Sequence, residues 1–327
     1  MNIISRENFW SALEGTRRSY HDQYRAMYSS DLNGIVLDPL LMRIPIDDHM
    51  VHRGDGAFEM CKCVHRGIYN LRAHVKRLSD SMGALGLVLP VAWDELDRII
   101  LRTVQASGLD DAAVRIYVSR GPGSFGVSPA DCPVAHLYVV VSTLSPGFME
   151  LHPEGAKVGI SRIPVKPGVF ATMKHCNYLP NVMMKQEALA RGLDFTIGCD
   201  HEGFVAEGPT ENFGIVTKNG QLLFPQVDRV LAGTTMVRVL ELAHQLIEAG
   251  RLQSAGYARI RPQAVLEAAE VIIVGTTTDV THVSRFEDYR WVGMGPVTQA
   301  LRQALVADIA SNAEMRLSLD MLSPSHT

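Results

Sequence analysis

Hydrophobic residues recur at two spacings along the chain, and stretches of the two kinds alternate. A spacing near 3.6 residues is typical of helices with one buried face. It predicts helices over residues 8–28, 72–85, 93–107, 178–191, 234–249 and 297–309. In the helix over 178–191 the side chains predicted to be buried are Leu179, Val182, Met183 and Leu189. In the helix over 234–249 they are Val237, Leu240, Ala243 and Ile247.

Shorter runs rich in β-branched residues predict strands, and most of them are bounded by turn residues. Residues 34–46 contain two prolines and are predicted to be an extended arm. The predicted strands cover residues 58–64, 68–71, 113–119, 135–142, 158–163, 194–199, 204–207, 212–216, 222–224 and 271–274.

Most strands are expected to pair with a neighbour in sequence, and helices interrupt them. This order favours α+β domains over a doubly wound parallel sheet. The Pro146-Gly147 region predicts a boundary between an N-terminal α+β domain, residues 1–146 with a helical extension at its start, and a second α+β domain, residues 147–327. The tail after Leu322 is predicted to be disordered.

Composition and charge exclude several classes of protein. The formal net charge is -4 and basic residues are dispersed, which argues against a nucleic-acid-binding or membrane-seeking surface. The chain has five cysteines, no C-x-x-C pair and no run of apolar residues long enough to cross a membrane. A reduced, cytoplasmic compartment and no bound metal are therefore expected.

Residues 173–188 contain a candidate catalytic amine, Lys174. Lys174 lies just before a predicted helix, with Asn177 as a candidate N-cap and Pro180 in the first turn. An amine held at such a position can be made nucleophilic by burial or by neighbouring charge. The alternative is an exposed lysine in a connector. Lys185, in mid-helix, is the competing lysine and is expected to be solvated.

Two segments have the residues of a phosphate site: Gly233-Thr234-Thr235 at the start of a helix and Gly275-Thr276-Thr277-Thr278 at the end of a strand. Glycine allows close approach of an anion, while helix N–H groups and threonine hydroxyls are donors. Threonine is also a common N-cap with nothing bound, so both interpretations stay open. Neither segment is a Walker loop or a dinucleotide fingerprint.

Glu207 ends a predicted strand at a sharp turn. By itself it could be a solvated turn residue. Together with a reactive lysine and a phosphate site, a carboxylate could keep a pyridine nitrogen protonated, so that the ring withdraws electrons from a carbanion. The glycine-rich loop 120–126 is either a hairpin tip or a mobile substrate lid.

These motifs, in this order, resemble the class IV (fold type IV) pyridoxal-phosphate enzymes. That family includes D-amino-acid aminotransferases, branched-chain aminotransferases and 4-amino-4-deoxychorismate lyases. The resemblance extends from about Asp47 to Leu301 and rests on the segments His52-Arg53-Gly54-Asp55-Gly56-Ala57-Phe58-Glu59, His74-Val75-Lys76-Arg77-Leu78, Lys174-His175-Cys176-Asn177-Tyr178-Leu179, Glu207-Gly208-Pro209-Thr210-Glu211-Asn212, Leu231-Ala232-Gly233-Thr234-Thr235 and Gly275-Thr276-Thr277.

The resemblance implies a two-domain fold, pyridoxal 5'-phosphate as cofactor and a homodimer. It implies that Lys174, in the second domain, is joined to the cofactor as an imine and moves the proton between substrate and cofactor. Glu207 would pair with the pyridine nitrogen, and Tyr178 would hydrogen-bond the ring hydroxyl. The phosphate would be held by Arg77, Gly233, Thr234, Thr235, Gly275, Thr276 and Thr277.

The resemblance leaves the substrate open. Arg120 would grip the substrate carboxylate, as in bacterial D-amino-acid aminotransferases, but Phe58 and Pro122 replace the tyrosine and histidine that assist it there. The alternative for Arg120 is an arginine on a surface loop. The expected activity is transfer of an amino group from an amino acid, of the D or branched-chain type, to a 2-oxo acid. The alternatives are a 4-amino-4-deoxychorismate lyase, which releases pyruvate and 4-aminobenzoate, and a cofactor-binding protein without turnover.

Overall fold

The structure, a computed structural model, describes residues 1–321. The predicted disordered tail after Leu322 lies outside these residues. The helices are α1 (Phe9–Glu14), α2 (His49–Arg53), α3 (Leu71–Leu85), α4 (Trp93–Ser107), α5 (Phe148–Leu151), α6 (Val169–Thr172), α7 (Leu179–Ala190), α8 (Thr234–Glu248), α9 (Pro262–Glu267) and α10 (Pro296–Ser311). Short 3₁₀ turns occupy Ser19–Gln23, Pro39–Leu41, Pro129–Asp131, Ala313–Met315 and Leu319–Met321.

Most of the strands have a run of buried side chains on at least one face, as the sequence pattern predicts. In chain order the strands are β1 (Tyr24–Ser29), β2 (Gly34–Val36), β3 (Gly56–Val64), β4 (Gly67–Tyr69), β5 (Ala112–Ser119), β6 (His136–Thr143), β7 (Ala156–Ile160), β8 (Phe195–Ile197), β9 (Asn212–Val216), β10 (Gln221–Pro225), β11 (Ser254–Ala258), β12 (Glu270–Gly275), β13 (Asp279–Phe286), β14 (Tyr289–Arg290) and β15 (Arg316–Ser318).

The described chain divides into two compact units. The first comprises residues 1–71, 82–144 and the segment from residue 316 onward, and the second comprises residues 72–81 and 145–315. Each unit contains one sheet and helices, so the predicted α+β class is confirmed. The assignment of functional domains to 1–146 and 147–327 stays a prediction.

The sheet of the first unit is antiparallel, in the order β15-β4-β3-β5-β6-β1-β2. Helix α4 packs on strands β1 and β6. It buries Leu96, Ile100 and Val104, which recur every four residues and therefore lie along one face. This unit holds Phe58 on β3 and Arg120 just after β5.

The sheet of the second unit is mixed, in the order β11-β10-β9-β12-β13-β7-β8, with β14 added beside β13. Strands β10 and β11 run parallel, as do β13 with β7 and β7 with β8. Strand β9 is buried along its whole length, and its Phe213 and Ile215 belong to the core with Ile273 and Phe286. This sheet carries the loops that contain the candidate site.

The first 46 residues differ from the prediction. Residues 8–28 contain the short helix α1, a 3₁₀ turn and strand β1 rather than one helix. Residues 34–46 contain strand β2 and a 3₁₀ turn rather than a plain extended arm. The apolar side chains of β1 complete the first sheet beside β6, and this tertiary pairing outweighs the local helix-like spacing.

The predicted buried faces of two helices are also wrong. In α7, Leu179, Val182, Met183 and Leu189 are 67%, 59%, 42% and 67% exposed, while Asn181, Met184 and Ala188 are buried. In α8, Ala243 is buried as predicted, but Val237 is exposed and the remaining core positions are Met236, Val239, Leu242 and Leu246. Helix α7 is apolar around most of its circumference, so spacing could not choose its buried face. Helix α8 is amphipathic, and there the predicted face is offset by about one residue from the observed one.

No helix within residues 1–321 is long and apolar enough to cross a membrane.

Candidate active site

Lys174 lies in the connection between α6 and α7, and it is 9% exposed. Its backbone N–H donates to Ser81 Oγ at 3.0 Å, which fixes the start of the side chain. Its Nζ donates to the Tyr178 hydroxyl at 3.2 Å. Tyr178 itself is the N-cap residue of α7, one position later than the predicted cap Asn177. The lysine is therefore buried and oriented by a phenol, unlike a connector lysine in solvent.

The competing lysine, Lys185, is exposed on α7, as predicted. Its Nζ donates to the carbonyl of Asp194 at 2.9 Å and lies 5.4 Å from the centre of the Phe195 ring. These contacts attach α7 to strand β8. Lys185 therefore has a structural task of its own.

Glu207 lies at a tight turn. Residues 204–207 pair at isolated bridges, one of them between Glu207 and Asn212, instead of forming the predicted strand. The Glu207 Oε2 accepts from the Leu231 N–H at 3.0 Å. Burial raises the pKa of Glu207 to about 7, opposed by Lys166, the Leu231 N–H, Lys174 and Arg77. A carboxylate at this pKa can exchange a proton near neutral pH.

Two titratable residues near this group were missed by sequence reasoning. Lys166 is partly buried, and its Nζ lies 4.9 Å from the centre of the Tyr178 ring. Burial lowers the pKa of Lys166, and the charge of Glu207 opposes this. Burial, followed by the charge of Lys166, lowers the pKa of His175 to about 4, so the imidazole is neutral at pH 7. The only sequence signal for Lys166 is its position between Pro164 and Pro167.

The first predicted phosphate segment opens α8. Gly233 is the N-cap residue, and Thr234 and Thr235 are buried in the first turn. A Cβ at Gly233 would lie 1.8 Å from Asn212 Oδ1, so a larger residue would collide with the strand beside Glu207. Arg77 Nη1 donates to the carbonyl of Ala232 at 3.1 Å, which brings the guanidinium to the same corner.

The second predicted phosphate segment is the turn between β12 and β13. Thr276 is partly buried and Thr277 is exposed, whereas Thr278 is buried. The Thr278 hydroxyl has no hydrogen-bond partner within residues 1–321. A Cβ at Gly275 would lie 2.8 Å from Thr278 Oγ1 and 3.5 Å from the carbonyl oxygen of Thr210, so this turn packs against the loop that follows Glu207.

The sequence profile of the class IV aminotransferases matches residues 56–286. This chain belongs to that family. Pyridoxal phosphate is its cofactor, and it is an aminotransferase.

Among its relatives, the chain is 37% identical over 293 residues to the chloroplastic D-amino-acid transaminase of Arabidopsis thaliana, covering 88% of this chain and 78% of that protein. It is 32% identical to a putative branched-chain-amino-acid aminotransferase of Methanocaldococcus jannaschii, covering 65% and 74%. A solved T.th. branched-chain amino acid aminotransferase, complexed with N-(5'-phosphopyridoxyl)-L-glutamate, superposes with a TM-score of 0.80 at 25% identity, covering 90% of this chain and 99% of that one.

The residues of the second unit fit this cofactor. The buried Lys174 carries an amine that could bond the aldehyde of the cofactor. Glu207 carries a carboxylate on which the positive charges of Lys166, Lys174 and Arg77 act. The N–H groups at the start of α8 have no partner inside the helix, and the Thr278 hydroxyl is buried without a protein partner among the described residues. Such donors suit a phosphate group.

Arg120, expected to grip a substrate carboxylate, forms an ion pair with Asp55 in the first unit. Its guanidinium pairs with both carboxylate oxygens of Asp55, at 3.0 and 3.1 Å, and donates to the carbonyls of Leu85 and Gly86 at 2.7 and 2.6 Å. Asp55 balances its charge, and these acceptors occupy most of its N–H groups. Phe58, the other predicted substrate residue, stacks on Tyr117 with ring centres 5.8 Å apart. Both residues therefore have contacts within the first unit, and their role in substrate binding stays a prediction.

Arg120→Met is expected to destabilise the protein by about 2 kcal/mol, because it removes the guanidinium that pairs with Asp55 and donates to two carbonyls, and leaves the Asp55 carboxylate, within the described chain, only the contact with His49. A urea-unfolding midpoint measures this loss, and Arg98→Met, which removes an exposed arginine paired with Glu95, is the control with little change. A substrate KM that rises tenfold or more with unchanged stability would instead assign Arg120 to substrate binding.

Gly233→Ala is expected to weaken cofactor binding by about tenfold or more, because the new methyl group displaces Asn212 and the start of α8. Titration of the cofactor-free protein with pyridoxal phosphate, followed by absorbance, measures the dissociation constant. Gly256→Ala is the matched control, since a Cβ there meets nothing within 4 Å. Equal affinities in the two variants would contradict the close approach at Gly233.

Proposed function

We propose that this aminotransferase takes D-amino acids as amino donors and a 2-oxo acid as acceptor. The proposal is supported by the relative from Arabidopsis thaliana, which is named a D-amino-acid transaminase and is similar over 88% of this chain. The chemistry itself rests on one observation: a buried lysine, a phenol and a carboxylate of raised pKa lie together in one compact unit.

In this proposal Lys174 has two tasks. When bound, pyridoxal phosphate supplies an aldehyde that bonds an amine and a ring that withdraws electrons from the substrate carbon as it loses a proton. Lys174 Nζ would hold the cofactor in the resting enzyme as an imine to its aldehyde carbon, whose oxygen leaves as water. When released by the substrate amine, the same Nζ would act as the base that accepts the proton from the substrate Cα and as the acid that returns it. Tyr178 orients Nζ through their hydrogen bond.

The remaining site residues bind and orient the cofactor. Glu207 is proposed to accept a hydrogen bond from the protonated pyridine nitrogen, and its bond from the Leu231 N–H fixes the carboxylate for this task. Tyr178 is proposed to hydrogen-bond the ring hydroxyl as well. The proposed phosphate ligands are the guanidinium of Arg77 and the amides and hydroxyls of Gly233, Thr234, Thr235, Gly275, Thr276 and Thr277, to which we add the buried hydroxyl of Thr278.

Branched-chain L-amino acids are the second candidate donors. Relatives from Methanocaldococcus jannaschii and Pseudomonas aeruginosa, 32% and 30% identical, are named as a putative branched-chain aminotransferase and a branched-chain aminotransferase. Nothing observed in this chain favours the lyase.

One screen separates these candidates. Purified protein is incubated with D-alanine, L-leucine or L-glutamate, with pyruvate or 2-oxoglutarate as acceptor, and the new amino acid is resolved on a chiral column. The proposal predicts faster turnover of the D-amino acid. Faster turnover of L-leucine would favour the second candidate, pyruvate released from 4-amino-4-deoxychorismate without an acceptor would indicate the lyase, and an unchanged cofactor spectrum with every amine would indicate a binding protein.

We also propose that the enzyme is a homodimer in the cytoplasm. The exposed apolar side chains of α7, Leu179, Val182 and Leu189, support association with a second copy. The sequence has five cysteines and no C-x-x-C pair, which fits a reduced compartment. Sedimentation equilibrium measures the mass of the particle, and a monomer at micromolar concentration would contradict the dimer.

A further inference from the structure

Lys166 occupies a loop that is fixed against the backbone next to Glu207. The loop connects β7 and α6, and prolines stand two residues before and one residue after Lys166. A Cβ at Gly198 would lie 2.6 Å from Val165 Cγ1, so the loop packs directly on this glycine. Gly198 in turn donates to the carbonyl of Glu207 at 3.0 Å. The backbone that carries Lys166 is therefore held against the backbone that carries Glu207.

The Lys166 ammonium group is directed into the site. It lies over the Tyr178 ring at 4.9 Å, while Lys174 Nζ lies 5.7 Å from the centre of the same ring. The positive groups that act on Glu207 are Lys166, Lys174 and Arg77, and Lys166 has the largest effect. The groups that act on Lys166 and share its surroundings are Glu207, the neutral His175 and the Tyr178 ring.

We propose that Lys166 is a positioning residue of this active site, whose positive charge keeps the Glu207 carboxylate anionic while the cofactor is bound. The inference rests on the proposed pairing of Glu207 with the pyridine nitrogen. Lys174 cannot perform this task throughout the reaction, because its amine exchanges with the substrate and carries a proton. A separate, permanently placed cation maintains the field while Lys174 changes state.

The sign of the expected pH dependence follows from the charges. Burial favours protonated Glu207, and a nearby positive charge favours the carboxylate. Removal of the Lys166 charge therefore raises the pKa of Glu207 further, so a higher pH is needed to ionise it. The acid limb of the profile of kcat against pH is expected to move up by about one pH unit. This is the smaller end of the pKa shift that one opposite charge causes at close range.

The test compares Lys166→Met with Lys166→Arg in the holoenzyme. We expect the methionine variant to lose about tenfold of kcat at pH 6 and to approach the parent at pH 9, while the arginine variant keeps the parent profile. Lys185→Met removes an exposed lysine from α7 and should leave the profile unchanged. Infrared spectra give a second measurement: the band of protonated carboxyl that Glu207→Gln removes should persist to higher pH in Lys166→Met.

Three results would overturn the proposal. The first is an unshifted profile and an unshifted carboxyl band in Lys166→Met. The second is an equal loss at all pH values in both Lys166 variants, which indicates a structural role. The third is a shifted profile in Lys166→Arg as large as that in Lys166→Met. Failure of the parent enzyme to transaminate any amino acid would contradict the proposed function instead, and the infrared comparison would still decide the charge effect.

Discussion

Lys174→Ala is expected to lower transamination by about 10⁴-fold or more, because one side chain supplies both the bond to the cofactor and the proton transfer at the substrate carbon. The absorbance of the covalently joined cofactor should disappear, and borohydride should no longer fix the cofactor to the protein. The alanine side chain cannot donate to Tyr178, so that hydroxyl loses its 3.2 Å contact with Nζ.

Lys185→Ala is the matched control for this change. Lys185 lies eleven residues after Lys174, on the exposed side of α7, and its Nζ donates to the carbonyl of Asp194. This variant should keep its colour, its reducible bond and its turnover. The opposite behaviour of the two variants would assign the bond to the cofactor to Lys185 instead of Lys174.

Glu207→Gln is expected to retain the cofactor yet slow turnover by roughly 10³-fold, because a neutral amide cannot hold the pyridine nitrogen in its protonated form. The Leu231 N–H can still donate to the amide oxygen, so the loop should keep its shape. Single-turnover absorbance at saturating amino acid measures the proton-transfer step. Its rate should fall while the dissociation constant of the cofactor changes little.

The control for Glu207→Gln is Glu267→Gln, which replaces an exposed carboxylate on α9. It should leave the rate unchanged. A Glu207→Gln enzyme with the parent rate would contradict the role proposed for this carboxylate, and complete loss of cofactor would indicate that Glu207 is needed mainly for binding.

The sequence by itself determined most elements and the chemical class. Short runs bounded by turn residues identified strands such as β9, and helical spacing identified helices such as α4, whose predicted bounds are those of the structure. The order of the short motifs identified the family, and the profile match confirmed it. These features are local: a period of two or 3.6 residues, or a glycine beside threonines, can be read without knowing what packs against it.

Only the tertiary structure decided which faces are buried and which charges meet. Spacing could not choose the buried face of α7, because apolar side chains surround that helix and the core takes only some of them. Nor could sequence pair Arg120 with Asp55, 65 residues away, or bring Lys166 beside Glu207. The field at a carboxylate depends on distances through space and on burial, and both are set by the fold, whereas a motif records only neighbours along the chain.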